Sequence, residues 1–154
     1  SYAPFAGTLP AVFERGLAEG GYPLFGKVTR ADMRESYARI VQLVGRLHKA
    51  GVPIVAGTDG WGLELVREIE IYQQAGMSAT EALQTATINP ARLVGVADRT
   101  GSIAVGKEAD MVLVAGDVSS DLGALRRVVT VVSDGYVMEG DALRTAAGFS
   151  GMPK

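Results

Sequence analysis

The chain has no cysteine and only one histidine, and both shortages restrict its chemistry. Without cysteine there is no disulfide, no thiolate nucleophile and no zinc–sulfur site, although this absence does not identify a compartment. The single histidine, His48, excludes a metal centre with several histidine ligands inside this chain. The net charge of −2 argues against nucleic acid as a partner. No apolar run approaches the ~20 residues that cross a bilayer, so we expect no membrane partner.

The length and the first residue indicate a segment rather than a whole protein. The 154 residues correspond to one domain or to pieces of two. The chain starts at Ser1 without a methionine or a signal peptide, so we expect part of a longer polypeptide or a processed product. The sequence pattern changes near residues 96–101, from the periodicity of helices to short apolar segments typical of β-strands. We therefore predict three parts, at 1–99, 100–140 and 141–154, the last being a tail.

The most informative stretch is residues 52–62. Its first five residues are mostly apolar and include β-branched Val and Ile, which predicts a strand buried on both faces. The sequence then breaks into Gly57-Thr58-Asp59-Gly60, and a helical pattern resumes near Leu63. An acid at the C-terminal end of a buried strand is where α/β barrels carry their chemistry. Asp59 is therefore the first candidate site residue, although Asp-Gly is also a common turn dipeptide.

A long helix is predicted immediately before this stretch. Thr29 is the expected N-cap, with Asp32 three residues later in a relative of the capping box. Gly51 is expected to end the helix. One apolar stripe at spacings of three and four is expected to face a core: Met33, Tyr37, Ile40, Val41, Val44, Leu47 and His48. We expect His48 to be a packing or helix-end residue, on the far side of the strand from Asp59.

Several polar residues are expected to have structural roles only. The helix after the turn should carry a solvated face that needs no chemistry, formed by Arg67, Glu68, Glu70 and Gln73. Ser78 and Glu81 match a capping box, and Asn89-Pro90 is expected to cap another short helix. Strands are predicted at 111–115, 128–132 and 136–138, with a two-residue hairpin turn at Asp134-Gly135. The tail should form one short helix and then fray at 151–154.

An ordered series of short motifs carries a resemblance to a known family. The series runs through Gly57-Thr58-Asp59-Gly60, Ala75-Gly76-Met77-Ser78, Asn89-Pro90-Ala91 and Gly106-Lys107-Glu108-Ala109-Asp110. Over residues 29–139 the chain resembles the C-terminal part of an amidohydrolase-superfamily enzyme. The similarity is to the group related to imidazolonepropionase and to metal-dependent Xaa-Pro or Xaa-Arg dipeptidases.

The resemblance implies an α/β fold of specific layout. The chain would be the C-terminal part of a (β/α)₈ TIM barrel, with residues 52–56 as strand 8, followed by the C-terminal strands of a small β-sandwich. Lys107 and Asp110 would then be turn and strand-edge residues. A barrel takes about 250 residues, so the remaining strands would come from the rest of a parent polypeptide or from a complementary chain. Open edges on strand 8 also favour a homo-oligomer.

The resemblance also implies a site. Asp59 would be a metal ligand that accepts a proton from the metal-bound water and passes it to the leaving nitrogen. Gly60, Trp61 and Gly62 would lie at the barrel mouth and contact a small-molecule or short-peptide substrate. The cofactor would be a divalent metal, zinc by expectation, as one or two ions held mostly by residues outside this chain. The implied function is hydrolysis of an amide, peptide or related C–N bond.

Two departures from the family pattern leave alternatives open. Many relatives carry a histidine in the stretch after strand 8, and here that position is Val66. The family's other metal ligands lie on earlier strands and are absent from this chain. One alternative is a ring deaminase or cyclic-amide hydrolase on the same scaffold. The other is a catalytically inert fragment, in which Asp59 no longer functions.

Overall fold

The computed structural model describes residues 3–18, 23–60 and 62–153. Within these ranges the helices are α1 (Ala11–Ala18), α2 (Arg30–Lys49), α3 (Leu65–Gln74), α4 (Ala79–Gln84), α5 (Ile88–Leu93) and α6 (Gly140–Ala146). The strands are β1 (Met111–Val114), β2 (Val128–Ser133) and β3 (Tyr136–Glu139). Short 3₁₀ helices lie at Ala3–Phe5 and Leu122–Arg126. Among the described helices, none is both long enough and apolar enough to cross a membrane.

Helix α2 begins and ends where local sequence signals predicted. The Thr29 hydroxyl accepts a hydrogen bond from the Asp32 N–H at 3.2 Å, and the Asp32 carboxylate accepts one from the Thr29 N–H at 2.8 Å. This complete capping box satisfies free N–H groups at the helix start and lowers the pKa of Asp32. Gly51 follows the C-cap residue Ala50 with a φ of +78°. The predicted capping is confirmed.

The apolar stripe of α2 is mostly exposed. Ile40 is 60% exposed and Tyr37 43%. The close contact of α2 with the rest of the chain is at Val44, which packs on the core, and at Gly45, where an added Cβ would clash with the Ala75 carbonyl. The prediction that the stripe faces a core is therefore wrong for the N-terminal part of α2, which no described element covers, and holds only at Val44 near its C-terminal end.

Residues 52–58 are neither helical nor part of a strand with any other described residue. Val52 is 44% exposed, and residues 54–56 are half-buried. The prediction of a strand buried on both faces is therefore wrong for this structure. A strand is defined by hydrogen bonds to a neighbouring strand, and no such strand is present within the described ranges. One side of the segment packs on helices, and its other side is uncovered by described residues.

The main core lies between α3, α4 and the 3₁₀ helix Leu122–Arg126. Ile69 and Tyr72 of α3 pack with Met77, Ala79 and Ala82 at α4, and Leu122 completes this set. Two apolar side chains of the 52–58 segment, Ile54 and Ala56, pack against the cluster. The core therefore holds residues 54–56 against α3 and α4.

The two short helices after α3 differ in how they start. Ser78 and Glu81 form a complete capping box, as predicted, and the hydrogen bonds from Ser78 lower the pKa of Glu81. The N-cap of α5 is Thr87, and Asn89 lies in the first turn of the helix. The prediction that Asn89 caps α5 is therefore wrong. Its side-chain amide instead donates to the Ile54 carbonyl at 3.2 Å.

The strands form an antiparallel sheet in the order β1-β2-β3. Asp134 (φ +50°) and Gly135 (φ +78°) connect β2 to β3, as expected of a type I′ turn, and Ser133 pairs with Tyr136 across it. The predicted hairpin is confirmed. Asp110 accepts hydrogen bonds from the Ser133 hydroxyl and the Asp134 N–H. Lys107 donates to the Ala97 carbonyl and the Ser102 hydroxyl, so both residues have structural contacts, as expected.

The last helix packs under the sheet and leads back to the start of the chain. The Arg144 guanidinium donates to the Val128 carbonyl at 2.7 Å. Beyond α6, the Ser150 N–H donates to the Thr8 carbonyl at 2.8 Å, and its hydroxyl donates to the Gly7 carbonyl at 3.1 Å. Pro153 is buried. The expected fraying is therefore wrong for residues 151–153, because the tail packs on the N-terminal residues; Lys154 lies outside the described residues.

Candidate functional site

Asp59 follows residues 52–58 directly and has an unusual backbone conformation. Its φ is +52°, and Asp59 and Asp134 are the non-glycine residues in the described ranges with a positive φ. Aspartate tolerates this left-handed region better than most residues because its short polar side chain can bond locally. The Asp59 side chain is exposed, and no described residue holds its carboxylate by a hydrogen bond or ion pair. The carboxylate is therefore accessible to a ligand.

The backbone that leads to Asp59 is held by groups outside the segment. The Asn89 amide donates to the Ile54 carbonyl, and the Ala56 N–H donates to the Thr85 carbonyl at 2.8 Å. These bonds attach the segment to α5 and to the end of α4. Buried polar backbone groups need such partners when no neighbouring strand supplies them. The segment is therefore held in place although it is unpaired in the described chain.

A third attachment comes from Glu68 of α3. Its Oε2 accepts a hydrogen bond from the Gly57 N–H at 3.0 Å, and its Oε1 accepts one from the Tyr72 hydroxyl at 2.5 Å. The phenol has a single proton, so this short bond leaves the 3.4 Å approach to the Val55 carbonyl as a secondary contact. Burial, followed by the hydrogen bond and the negative charge of Glu68, raises the pKa of Tyr72 above its ordinary value. The phenol therefore remains a donor to Glu68.

The three residues expected to contact substrate follow Asp59. The Gly60 N–H donates to the Thr58 hydroxyl at 3.3 Å. A Cβ at Gly60 would lie 2.6 Å from Glu64 Oε2, so glycine leaves space for this carboxylate. Gly62 has a φ of +86°, a conformation that glycine adopts without strain. Trp61 lies outside the described residues. The predicted role of these residues in substrate binding stays a prediction.

His48 lies at the opposite end of the segment from Asp59. Its Nε2 is 3.4 Å from Glu81 Oε1, and it lines a cavity of about 250 Å³ together with Gly51, Val52 and Pro53. This position, at the start of the segment, agrees with the expected structural role. Among the described residues, no group of three or more histidine, aspartate or glutamate side chains is placed to hold a metal ion.

Sequence reasoning missed the charged residues of α3. Arg67, Glu68 and Glu70 are half-buried rather than solvated. Glu70 pairs with Arg67 at 3.2 Å and also with the buried Arg126. The interpretation of this face as solvated is therefore wrong for these three residues and right for Gln73, which is exposed. The available signal was the position of Glu68 one turn before Tyr72, where the two side chains can meet.

The sequence profile described as the amidohydrolase family matches residues 33–138. The chain belongs to the amidohydrolase family. Among solved structures, it resembles a Xaa-Pro dipeptidase with bound methionine in the active site, at a TM-score of 0.64 and 31% identity. That comparison covers 75% of this chain and 29% of the dipeptidase chain. The resemblance to dipeptidase-like amidohydrolases is thus confirmed.

Two curated relatives of this amidohydrolase-family chain are named enzymes. Imidazolonepropionase of Thermoplasma acidophilum is 31% identical over 91 residues, which cover 56% of this chain and 21% of the relative. The 5-methylthioadenosine/S-adenosylhomocysteine deaminase of Thermoanaerobacter pseudethanolicus is 30% identical over 105 residues, 60% of this chain and 23% of the relative. The chain therefore spans about a fifth of the length of the curated relatives it matches. The family implies a TIM-barrel-type fold, and the described part is α/β with a three-stranded antiparallel sheet.

Proposed function

We propose that the protein containing this chain hydrolyses an amide, peptide or related C–N bond, and that Asp59 takes part in the reaction. One observation carries the proposal: an exposed carboxylate in a left-handed conformation follows a segment whose backbone is attached to surrounding helices, in an amidohydrolase-family chain. Rare backbone conformations cluster at functional sites. The attachments to α3, α4 and α5 would keep the carboxylate in one position.

We also propose that residues 52–56 form the eighth strand of a (β/α)₈ barrel and that β1–β3 belong to a small β-sandwich. The family assignment supports this placement, as does the packing of Ile54 and Ala56 from this segment against the core. Val52 is 44% exposed although it belongs to an apolar run. Neighbouring strands of a complete barrel would cover this side. The boundaries at residues 99 and 140 stay predictions.

In the proposed mechanism, the Asp59 carboxylate accepts a proton from the water that attacks the scissile carbonyl carbon. It then donates this proton to the leaving nitrogen, so that the C–N bond breaks to release a neutral amine and the carboxylate is regenerated. A positioned carboxylate of this kind contributes about 10²- to 10⁴-fold to a reaction rate. The attachments of the preceding segment would provide the required positioning.

The described residues fit a divalent metal only in part. The Asp59 carboxylate is a suitable zinc ligand, but the described residues supply no complete group of ligands. A bound zinc ion, when present, lowers the pKa of a coordinated water towards about 7. We propose that Asp59 contributes one ligand and that residues outside this chain contribute the others to one or two ions.

The substrate class in this proposal is a small molecule or short peptide. The similar dipeptidase structure contains methionine in its active site, which supports a site of this size. Gly60, Trp61 and Gly62 follow Asp59 directly and are the residues of this chain that we propose to contact substrate. The rest of the parent polypeptide or a complementary chain would form the other walls.

A ring deaminase is the second candidate function. The similarity to 5-methylthioadenosine/S-adenosylhomocysteine deaminase, at 30% identity, supports it. The two functions use the same proton transfers at Asp59 but different substrates. Parallel assays on Xaa-Pro dipeptides and on S-adenosylhomocysteine, which follow free amino acid and released ammonia respectively, separate them.

The first prediction concerns Asp59→Asn in the complete protein that carries this chain. Asparagine keeps the size and tolerates the left-handed conformation, but it cannot accept the proton. We expect kcat to fall by about 10²-fold or more, with an unchanged thermal unfolding midpoint. The matched control is Asp134→Asn, since Asp134 is exposed and left-handed in the β2–β3 turn, and it should retain wild-type activity.

Full activity in Asp59→Asn would refute the proposed role of this residue. Loss of activity in both variants would point to a general effect of the substitution and would also count against it. Metal content gives an independent measurement: the wild-type protein should contain stoichiometric zinc or another divalent metal, and Asp59→Asn should contain less. A metal-free wild-type protein that is inactive on both substrate classes would favour an inert fragment.

A further inference from the structure

Glu68 connects helix α3 to the backbone just before Asp59. It lies one turn before Tyr72, is half-buried, and uses its two carboxylate oxygens for two different donors. Oε1 accepts from the Tyr72 hydroxyl and Oε2 from the Gly57 N–H. Hydrogen bonds to an ionised carboxylate are roughly twice as strong as those between neutral groups. The carboxylate is thus a bridge with one end fixed in the core and the other on the turn.

Among the hydrogen bonds that attach this segment to the helices, the bridge from Glu68 is nearest to Asp59 in the sequence. The bonds from Asn89 and to Thr85 act on Ile54 and Ala56, which are three or more residues before Asp59. The bond between Thr58 and Gly60 lies within the turn itself and attaches it to no helix. The Glu68–Gly57 bond is therefore the last of these attachments before Asp59.

We propose that Glu68 is a positioning residue, whose bridge between the Tyr72 hydroxyl and the Gly57 N–H sets the position of the Asp59 carboxylate. The inference rests on the proposed function of Asp59 and extends it to a residue on another element. Without the bridge, Gly57 and Thr58 can rotate about their backbone bonds, and Asp59 moves with them. A misplacement of about 1 Å at a reacting group can cost 10²-fold in rate.

The geometry distinguishes positioning from direct proton transfer by Glu68. Both carboxylate oxygens already accept hydrogen bonds from protein groups, and one donor is the phenol of the buried Tyr72, whose pKa is raised. A base that takes a proton from water needs an accessible lone pair aimed at that water. Glu68 acts through Gly57 instead, and its negative charge is needed only to accept hydrogen bonds.

The test compares Glu68→Ala with Glu68→Gln in the complete protein. Glutamine can keep both contacts, because its carbonyl oxygen accepts from Gly57 while its amide donates to the Tyr72 oxygen, which frees the phenol proton for the Val55 carbonyl. Alanine removes both. We expect Glu68→Ala to lower kcat roughly 10- to 100-fold, with KM changed by less than about threefold, and Glu68→Gln to stay within about threefold of wild type.

Hydrogen–deuterium exchange gives a readout that does not depend on activity. The Gly57 amide should exchange at least about tenfold faster in Glu68→Ala than in wild type, and at a near wild-type rate in Glu68→Gln. Glu35→Ala is the matched control, because Glu35 is an exposed glutamate of α2 that pairs with Arg39 four residues later. This control should change neither the Gly57 amide nor kcat.

The outcomes separate this inference from the proposed function. If Asp59→Asn is inactive but Glu68→Ala keeps wild-type kcat or an unchanged Gly57 exchange rate, the positioning role is overturned and the role of Asp59 stands. If Glu68→Gln loses as much activity as Glu68→Ala, the carboxylate acts by charge or proton transfer, which also overturns it. If Asp59→Asn is fully active, the proposed function fails, while Gly57 exchange still tests the bridge. Should Glu68→Ala fail to fold, Tyr72→Phe removes one end of the bridge, and unchanged kcat and Gly57 exchange in it would count against the inference.

Discussion

The Tyr72 phenol connects core packing to the candidate site within a single residue. Its ring belongs to the cluster formed with Ile69 and Met77, and its hydroxyl reaches Glu68. Ionising the phenol would place a second negative charge beside this carboxylate in a poorly solvated position. The pKa of Tyr72 is therefore raised, first by burial and then by Glu68.

This pKa shift predicts the alkaline behaviour of the chain. The folded-state pKa is raised above the ordinary value of about 10, so the stabilisation is fully present below pH 10 and is lost as the pH rises through the folded-state value. We expect tyrosinate absorbance to show one of the five tyrosines ionising late, only as the protein unfolds, and Tyr72→Phe to lack this late step. The prediction would be contradicted if the tyrosinate absorbance curves of wild type and Tyr72→Phe already differed at pH 10, because Tyr72 should ionise only above that pH.

At the same scale, Asp59 and Glu68 differ in how far the sequence predicts them. Asp59 stands in a recognisable motif, between an apolar run and a glycine, so its position follows from local pattern alone. Glu68 has no such context, because its contact with Gly57 spans eleven positions and depends on how α3 packs against residues 52–58. Periodicity places it off the apolar stripe of α3, which wrongly indicated a solvated residue.

Among the helices and strands, α3 is attached to the 3₁₀ helix Leu122–Arg126 by an ion pair. The guanidinium of Arg126 pairs with Glu70, and its side chain is only 4% exposed against 22% for Glu70. The ring of Phe5 lies 5.9 Å from the same guanidinium, which adds a cation–π contact. The hydrogen bond from Arg126 holds the pKa of Glu70 below its usual value. Three separate parts of the chain therefore meet at one buried cation.

We predict that this pair contributes to stability in a pH-dependent way. The folded-state pKa of Glu70 is lowered, so its contribution is present above about pH 4.5 and is lost as the pH falls through the folded-state value. At pH 7, Glu70→Gln should lower the free energy of unfolding, measured by urea denaturation, by about 2 kcal/mol, because it replaces a charge-assisted hydrogen bond by a neutral one. The difference between the two proteins should shrink at acid pH.

The control for this prediction is the exposed Glu35–Arg39 pair on α2. Glu35→Gln should change the free energy of unfolding by less than about 0.5 kcal/mol at any pH, because exposed pairs are screened by solvent. A Glu70→Gln variant as stable as wild type at pH 7 would show that the buried pair contributes nothing beyond its own desolvation cost.

The helices and strands differ in whether neighbouring residues in the sequence determine them or whether they need a partner on another element. The capping boxes of α2 and α4 and the Asp134-Gly135 turn were predicted because their hydrogen bonds lie within four residues. The strand at 52–56 and the core-facing stripe of α2 were not realised, because both require partners on another element. Asn89 was placed correctly beside a helix start, but its amide bonds to Ile54, 35 positions away, instead of capping.

At the scale of the whole molecule, the solvent-accessible surface area is larger than that of a compact monomer of the same mass. The accessible area is 10231 Å² for a chain of 16.1 kDa, whereas a compact monomer of this mass exposes about 7,400 Å². Large apolar side chains account for part of the excess on two faces. They are Tyr37, Ile40 and Leu43 on α2, and Leu113 and Val137 on one face of the sheet.

This surface predicts association of the 154-residue chain in solution. Covering exposed apolar surface is favourable by about 25 cal/mol of free energy for each Å² that is removed from water. We expect a sedimentation velocity experiment to show a mass that rises with protein concentration. Ile40→Glu should reduce this rise, whereas Val12→Glu, an exposed apolar position on α1, should not. A monomer at all concentrations would contradict the prediction.

The contact of Ser150 with Gly7 and Thr8 has a consequence for the order of folding. It joins residues 143 positions apart, and closing a loop of that length costs about 4 kcal/mol of chain entropy beyond a constant term. Hairpins and capped helices close loops of only a few residues and can form early. The contact between the two ends of the described chain offsets this entropy cost only after the intervening parts are compact, so we expect it to form last on folding and to open first on unfolding.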